Sequence, residues 1–202
     1  VQEVCKLLIK IGKYNSKNIK ELRKKVRDLI KILKIIDEIL KNVHGTPDLG
    51  NVDDPLDELV YMLISQRTRI ETAQRIFRLL KDRFSSWNRI FQADDADLKE
   101  ILSIGGRGQK RLAALRALLD EIHSREGILS LKKLKMMNKD EIYDYLCSLP
   151  GVGEKIARCV MLYSLGINTF PVDINIIRIF KRMKIFDSII GPLDNLNHKQ
   201  IQ

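Results

Sequence analysis

The stretch that decides the fold is LPGVGEKIARCVMLYSLGINTFPVDINIIRIFKRM, residues 149–183. An apolar run ends at its start, a turn follows that contains Pro150, Gly151, Val152 and Gly153, and a second apolar-periodic run covers residues 156–165. This pattern predicts a helix, a hairpin and a second helix. Glycines leave the N–H groups at the start of the second helix uncovered, and a helix N-terminus attracts phosphate. We therefore expect Gly151, Val152 and Gly153 to bind a phosphate backbone.

Two ionisable residues follow the hairpin. Lys155 lies in the first turn of the second helix, and Asp173 comes eighteen residues later, after a Pro-Val step that opens another helix. Each has an ordinary structural interpretation, since an exposed helical lysine is usually a solvated cation and an Asp before a helix is usually an N-cap. Each also suits catalysis, because a carboxylate can stabilise a positive charge that develops in a transition state. An unprotonated amine can attack an electrophilic carbon and form a covalent intermediate.

LPGVGEK followed by the Asp of FPVD resembles the helix-hairpin-helix motif and catalytic Asp of the endonuclease III-like DNA glycosylases. The hairpin alone recurs in many DNA-binding proteins, whereas the hairpin, lysine and aspartate at this separation are much rarer together. A weaker similarity extends from about residue 22 to the end of the chain. Asn175 stands where a His is common in the family, which is a minor variation.

The resemblance implies an all-α, two-lobed fold with a helical barrel lobe and a second lobe built from N- and C-terminal helices. Residues 1–50 would hold N-terminal helices of the second lobe, 51–168 the barrel lobe with the hairpin, and 169–202 a returning segment that we expect to be truncated. It also implies a bifunctional DNA N-glycosylase and AP lyase of base excision repair, with Lys155 and Asp173 as catalytic residues. Lys155 matters most, because relatives with another residue there lack the lyase activity.

The segment SQRTR, residues 65–69, interrupts two apolar helical patterns. On the residues alone it is an interhelix turn. The matching segment of endonuclease III-like enzymes carries a Gln that reaches into the space left by a flipped base. The resemblance therefore makes Gln66, with its neighbour Arg67, a candidate DNA-binding residue.

A second glycine-rich segment, SIGGRGQKR, covers residues 103–111 and opens a helix. Its three glycines and three cations at a helix start predict a second phosphate clamp that includes Gly105, Arg107 and Lys110. The corresponding family loop inserts an apolar wedge beside the lesion. This sequence has Gly106 and Arg107 there, so Arg107 is expected to stack on a base or bind a phosphate instead.

The apolar periodicity predicts a helix capped by Asn18, a helix that begins at Asp54-Pro55, and a helix capped by Asn138 that leads into the hairpin. The glycine- and proline-containing loop at residues 44–55 is the expected boundary between the lobes. Residues 87–91 are expected to form a short apolar turn. Trp87 is expected in the core, because it lies in an apolar rather than a basic context.

The composition favours a polyanionic partner: 36 Lys and Arg against 26 Asp and Glu give a formal charge of +10, and neutralising phosphates releases counterions. We expect a monomer that acts on double-stranded DNA with a damaged base or abasic site, inside the cell and with no membrane partner. The three cysteines, Cys5, Cys147 and Cys159, have no metal-ligand spacing, so we expect no metal or cofactor in this chain. A 4Fe–4S cluster, which many relatives hold, would require a C-terminal cysteine tract missing from this sequence.

Two other functions fit the same residues. A non-catalytic helix-hairpin-helix DNA-binding module would use the hairpin and the charge but neither Lys155 nor Asp173. A helical protein-interaction domain would show no salt-dependent DNA affinity. If the chain is a glycosylase, oxidised pyrimidines are the default substrates of its family, while 8-oxoguanine, mismatched thymine and methylated cytosine stay open.

Overall fold

A computed structural model describes residues 19–184 of the chain. The regular structure of that part is helical, which confirms the predicted all-α class. By contacts, the described chain forms a smaller unit of residues 19–47 and 172–184 and a larger unit of residues 48–171. The predicted cap Asn18 and Cys5 lie outside the described residues.

The helices, in chain order, are α1 (Ile19–His44), α2 (Pro55–Ser65), α3 (Ile70–Phe84), α4 (Trp87–Gln92), α5 (Asp95–Leu102), α6 (Gly108–Glu126), α7 (Lys139–Cys147), α8 (Glu154–Tyr163) and α9 (Ile174–Met183), with a 3₁₀ helix at Lys132–Met136. The smaller unit holds α1 and α9 and buries Leu22, Val26, Val172 and Ile177. No helix of the described chain has both the length and the apolar character needed to cross a membrane.

Helix α2 is the centre of the larger unit, because α3, α6 and α8 all pack against it. Its apolar side chains are buried on several sides: Leu56, Leu59, Val60, Leu63 and Ile64. A helix that is apolar around most of its circumference must be covered by its neighbours. Its 11 residues make it about 16 Å long, so the turn after Ser65 and the loop before Pro55 lie at opposite ends of this core.

Local capping sets the predicted helix starts. Asp54 accepts hydrogen bonds from the Leu56 and Asp57 N–H groups at 3.0 and 3.2 Å, and Pro55 occupies the first turn of α2. Asn138 and Glu141 form a reciprocal capping box at the start of α7. Such bonds satisfy first-turn N–H groups that have no partner inside the helix. Both sequence predictions are confirmed.

Trp87 is 7% exposed and lies in the core, as predicted. Its indole N–H donates to Asp57 Oδ1 at 2.6 Å, and the same oxygen accepts from Lys81 Nζ at 2.9 Å. The prediction that residues 87–91 form only a turn is wrong, because they belong to α4. Ser86 caps this helix by accepting from the Arg89 N–H at 3.3 Å, which the apolar pattern alone did not indicate.

The segment that enters the larger unit is fixed to α2 by a buried carboxylate. Glu58 is fully buried and accepts from Asn51 Nδ2 at 2.6 Å and from the Val52 N–H at 2.9 Å. Burial raises the pKa of the Glu58 carboxyl. The Tyr61 hydroxyl adds a bond to the Leu49 carbonyl at 2.6 Å. These bonds anchor residues 49–52 to α2.

Candidate nucleic-acid interface

The predicted hairpin joins α7 to α8 through a tight turn. The Val152 N–H donates to the Leu149 carbonyl at 3.2 Å. Gly151 has a φ of +75°, in the left-handed region that favours glycine. Leu149 and Val152 are both buried. The buried Val152 side chain therefore anchors the turn. Only the backbone of Val152 could contact a ligand.

Neither the backbone conformation nor the packing requires a glycine at position 153, the residue before α8. Its φ of −94° suits any residue, and a Cβ added there would meet no atom within 4 Å. With no side chain, Gly153 makes no capping bond to the first-turn N–H groups of α8. We infer that Gly153 keeps this space open for an anion at the helix N-terminus.

We predict that Gly153→Ser separates stability from DNA binding. The backbone at Gly153 is extended, and serine is a better N-cap than glycine. The free energy of unfolding, measured by thermal denaturation, should therefore rise by a few tenths of a kcal/mol. Duplex affinity, measured by fluorescence anisotropy, should fall about tenfold, because the new hydroxyl takes the N–H groups and the space that a phosphate would use. Unchanged affinity in a stabilised variant would exclude this helix terminus as a phosphate site.

The turn at residues 65–69, here the SQRTR turn, follows α2 directly. The Thr68 N–H donates to the Ser65 carbonyl at 3.0 Å, and Gln66 and Arg67 are both exposed. Arg67 has a φ of +53°, a conformation that costs a residue with a Cβ about 1–2 kcal/mol. The turn thus presents an amide and a guanidinium to solvent from adjacent positions.

Residues 103–107, here the glycine loop, join α5 to α6. Gly105, Gly106 and Arg107 have consecutive φ values of +72°, +81° and +64°. This left-handed run reverses the chain before α6, and glycine is the residue that adopts such a conformation without strain. Arg107 and Lys110 are exposed at the start of α6. Both predicted cations are therefore available to an anionic ligand.

Close contacts gather these three segments near the end of α2. A Cβ placed on Gly151 would lie 3.5 Å from Leu63 Cδ2, and one placed on Gly105 would lie 2.8 Å from Thr72 Cγ2 in the first turn of α3. Arg111 Nη2 donates to Thr68 Oγ1 at 2.8 Å, which joins the start of α6 to the SQRTR turn. The hairpin, the SQRTR turn and the glycine loop are thus parts of one structural neighbourhood in the larger unit.

The two predicted catalytic residues belong to different units. Lys155 is exposed in the first turn of α8, next to the hairpin in the larger unit. Asp173 belongs to the smaller unit and caps α9, with Oδ1 accepting from the Asn175 and Ile176 N–H groups at 2.9 and 3.0 Å. The sequence-based expectation that Asp173 caps a helix is confirmed. Its catalytic role and that of Lys155 stay predictions.

The family model for HhH-GPD superfamily base excision DNA repair proteins matches residues 60–194. The chain belongs to this superfamily. The matched span includes the SQRTR turn, the glycine loop, the hairpin and both predicted catalytic residues. The resemblance to endonuclease III-like glycosylases is thereby confirmed.

Curated relatives of this HhH-GPD protein are similar over part of their length. An Arabidopsis thaliana protein named provisionally as a DNA glycosylase is 31% identical over 128 residues, which are 63% of this chain and 44% of that protein. The DNA glycosylase/AP lyase ROS1 of the same plant is 32% identical over 97 residues, 48% of this chain and 7% of ROS1. The Arabidopsis N-glycosylase/DNA lyase OGG1 is 26% identical over 69% of this chain and 41% of its own length. The chain thus spans less than half of each of these relatives.

Solved structures of low sequence identity share the HhH-GPD fold. An endonuclease III in a non-covalent complex with DNA gives a TM-score of 0.61 at 17% identity, with 77% of this chain and 69% of that chain covered. A thermostable thymine-DNA glycosylase gives 0.61 at 18% identity, with 79% and 67% covered. These likenesses confirm the predicted fold class.

The described residues do not form a metal or cluster site. Within residues 19–184, no group of three or more His, Cys, Asp or Glu side chains is arranged to hold a metal ion. A 4Fe–4S cluster needs four thiolate ligands. The described cysteines are Cys147, which is half-buried, and Cys159, which is buried. They do not fit such a cluster.

Sequence reasoning missed the role of Arg111. We counted it among the cations of a phosphate clamp, but it is 7% exposed and its guanidinium donates to the Ile104 and Gly106 carbonyls of the glycine loop and to the Leu102 carbonyl at the end of α5. A signal was present: Arg111 precedes Leu115, Leu118 and Ile122 at helical spacing, so it falls on the apolar stripe of α6. A cation on a buried stripe indicates a specific internal partner.

Proposed function

We propose that this protein is a bifunctional DNA N-glycosylase and AP lyase of base excision repair. The observation that carries the proposal is Lys155, exposed in the first turn of the helix whose glycine-lined N-terminus is the best candidate grip on DNA. A hairpin that holds the backbone at this point would keep an amine beside the sugar of a neighbouring nucleotide. The names of the relatives ROS1 and OGG1, each including a lyase, support the same activity.

The proposed chemistry assigns one step to each residue. The target nucleotide first leaves the stack, at a cost of a few kcal/mol. The N-glycosidic bond then breaks and the base departs with the bonding electrons, while the Asp173 carboxylate stabilises the positive charge on the sugar. The unprotonated Lys155 amine forms a bond to the sugar C1′ and gives up a proton, the C1′–O4′ bond breaks with O4′ taking a proton, and the opened sugar is left as a Schiff base. β-Elimination then removes a C2′ proton and expels the 3′ phosphate, which breaks the 3′ carbon–oxygen bond.

The proposed partner is double-stranded DNA with a damaged base or an abasic site, bound by a monomer. Gln66 would fill the space of the extruded nucleotide. Arg107 would stack on a base or bind a phosphate, and Lys110 would neutralise the backbone. As substrate we propose an oxidised pyrimidine, the default of the endonuclease III-like enzymes. A panel of duplexes that each carry one lesion will test this choice.

The test of the function is a nicking assay on duplex DNA with one abasic site, at two salt concentrations. We expect a β-elimination product, a covalent adduct after borohydride reduction, and affinity that falls steeply as salt rises. Salt-dependent binding without product or adduct would identify a non-catalytic DNA-binding module. No salt-dependent affinity at all would favour a protein-interaction domain.

A further inference from the structure

Arg111 lies inside the larger unit although it carries a positive charge. It is in the first turn of α6 and is 7% exposed. Its Nη1 atom donates to the Leu102 carbonyl at 2.6 Å, to the Ile104 carbonyl at 3.1 Å, and to the Gly106 carbonyl. Its Nη2 atom donates to Thr68 Oγ1 at 2.8 Å. One guanidinium therefore touches both the glycine loop and the SQRTR turn.

Packing alone does not explain an arginine at this position. These four acceptors are three carbonyls and a hydroxyl, all of them neutral. Burial lowers the pKa of Arg111, and the nearby charge of Arg107 lowers it further, yet a guanidinium stays protonated at neutral pH. A buried cation without a carboxylate is costly, and an apolar side chain would avoid that cost.

The geometry of the bonds shows what the guanidinium provides. Its three carbonyl acceptors belong to Leu102 and Ile104, which precede the left-handed run 105–107, and to Gly106 within it. A rigid fork of N–H donors can hold several acceptors at fixed angles. The bond to Thr68 crosses 43 positions of sequence. Gly105 also lies against Thr72, in the first turn of α3, the helix that directly follows the SQRTR turn.

From this geometry we propose that Arg111 is a positioning residue that fixes the glycine loop to the SQRTR turn, so that Arg107 and Gln66 enter a duplex as one block when a nucleotide leaves the stack. The proposal rests on the proposed function. It implies that Arg111 acts through Arg107 and Gln66 rather than on the sugar. Its effect should therefore be large for duplex DNA and small for a single strand, where no stacked partner must be replaced.

Thr68→Val tests the link, because it removes the hydroxyl acceptor and keeps the branched shape. We expect borohydride trapping to slow about tenfold on an abasic duplex, since a hydrogen bond to a charged group contributes about 1.5 kcal/mol or more. Trapping on the same strand without its complement should not change, and Thr68→Ser should restore the duplex rate. Equal slowing on both substrates, or none on the duplex, would overturn the proposal.

A second measurement does not depend on the chemistry. In a Lys155→Gln background, 2-aminopurine opposite the abasic site should brighten when the protein binds and unstacks it, and Thr68→Val should reduce that rise at saturating protein. Adding Arg111→Met to Thr68→Val should lower the fluorescence rise little further, because both substitutions break the same hydrogen bond. If the starting protein forms no adduct but gives this fluorescence pattern, the enzyme assignment fails and the positioning role stands. A full rise with Thr68→Val would refute the role, even if Arg111→Met alone did not fold.

Discussion

Lys155→Gln is expected to abolish borohydride trapping of the protein on abasic duplex DNA. The Schiff base needs a primary amine, and a glutamine side chain has none. Lys155 is exposed at the start of α8, so the substitution leaves the core and the hairpin unchanged. Duplex affinity should stay largely intact, because the proposed grip on the DNA backbone is made by N–H groups of the hairpin and not by the Lys155 side chain.

Lys132→Gln is the matched control for this experiment. Lys132 is also exposed, but it lines a cavity with Asp54 and Asp57, at the end of α2 remote from the hairpin. We expect normal trapping and normal binding from this variant. Trapping by Lys155→Gln at the rate of the starting protein would reject the assignment of the lysine, whatever the control shows.

Asp173→Asn is expected to slow base release about a hundredfold or more, which is the usual effect of removing one electrostatic stabiliser from a reacting centre. The structure makes asparagine the informative replacement. Asp173 caps α9 through a single oxygen that accepts from two N–H groups, and an asparagine oxygen can accept the same bonds. The variant therefore loses the charge and keeps the cap. DNA affinity should be equal or slightly tighter, since a negative charge near the polyanion is removed.

Asp54→Asn controls for the capping role, because Asp54 holds two first-turn N–H groups of α2 in the same way. Single-turnover base release from a lesion duplex and equilibrium binding should both be unaffected by this change. If Asp173→Asn lowers binding and base release to the same extent, its carboxylate serves the fold and not the reaction.

Features set by neighbouring residues were predicted from the sequence. The start of α2 at Asp54-Pro55, the Asn138 cap of α7 and the cap at Asp173 each depend on a few consecutive residues. The same holds for the hairpin, whose left-handed Gly151 and apolar anchor Val152 are adjacent. Short-range bonds of this kind need no knowledge of the rest of the chain. The error at α4 arose because this helix has only six residues, and its capping Ser86 lies outside the apolar pattern from which the segment was judged.

The sequence by itself determined the all-helical class, the hairpin, the positive charge that suits DNA, and the pairing of Lys155 with Asp173 as candidates. Only the tertiary structure showed that neither the backbone conformation nor the packing requires a glycine at position 153. It alone also placed the SQRTR turn beside the glycine loop through Arg111. The reason is that a side chain's surroundings depend on segments far away in the chain. From the sequence, Arg111 was predicted to be a surface cation, and only the fold shows the carbonyls and the hydroxyl that surround it.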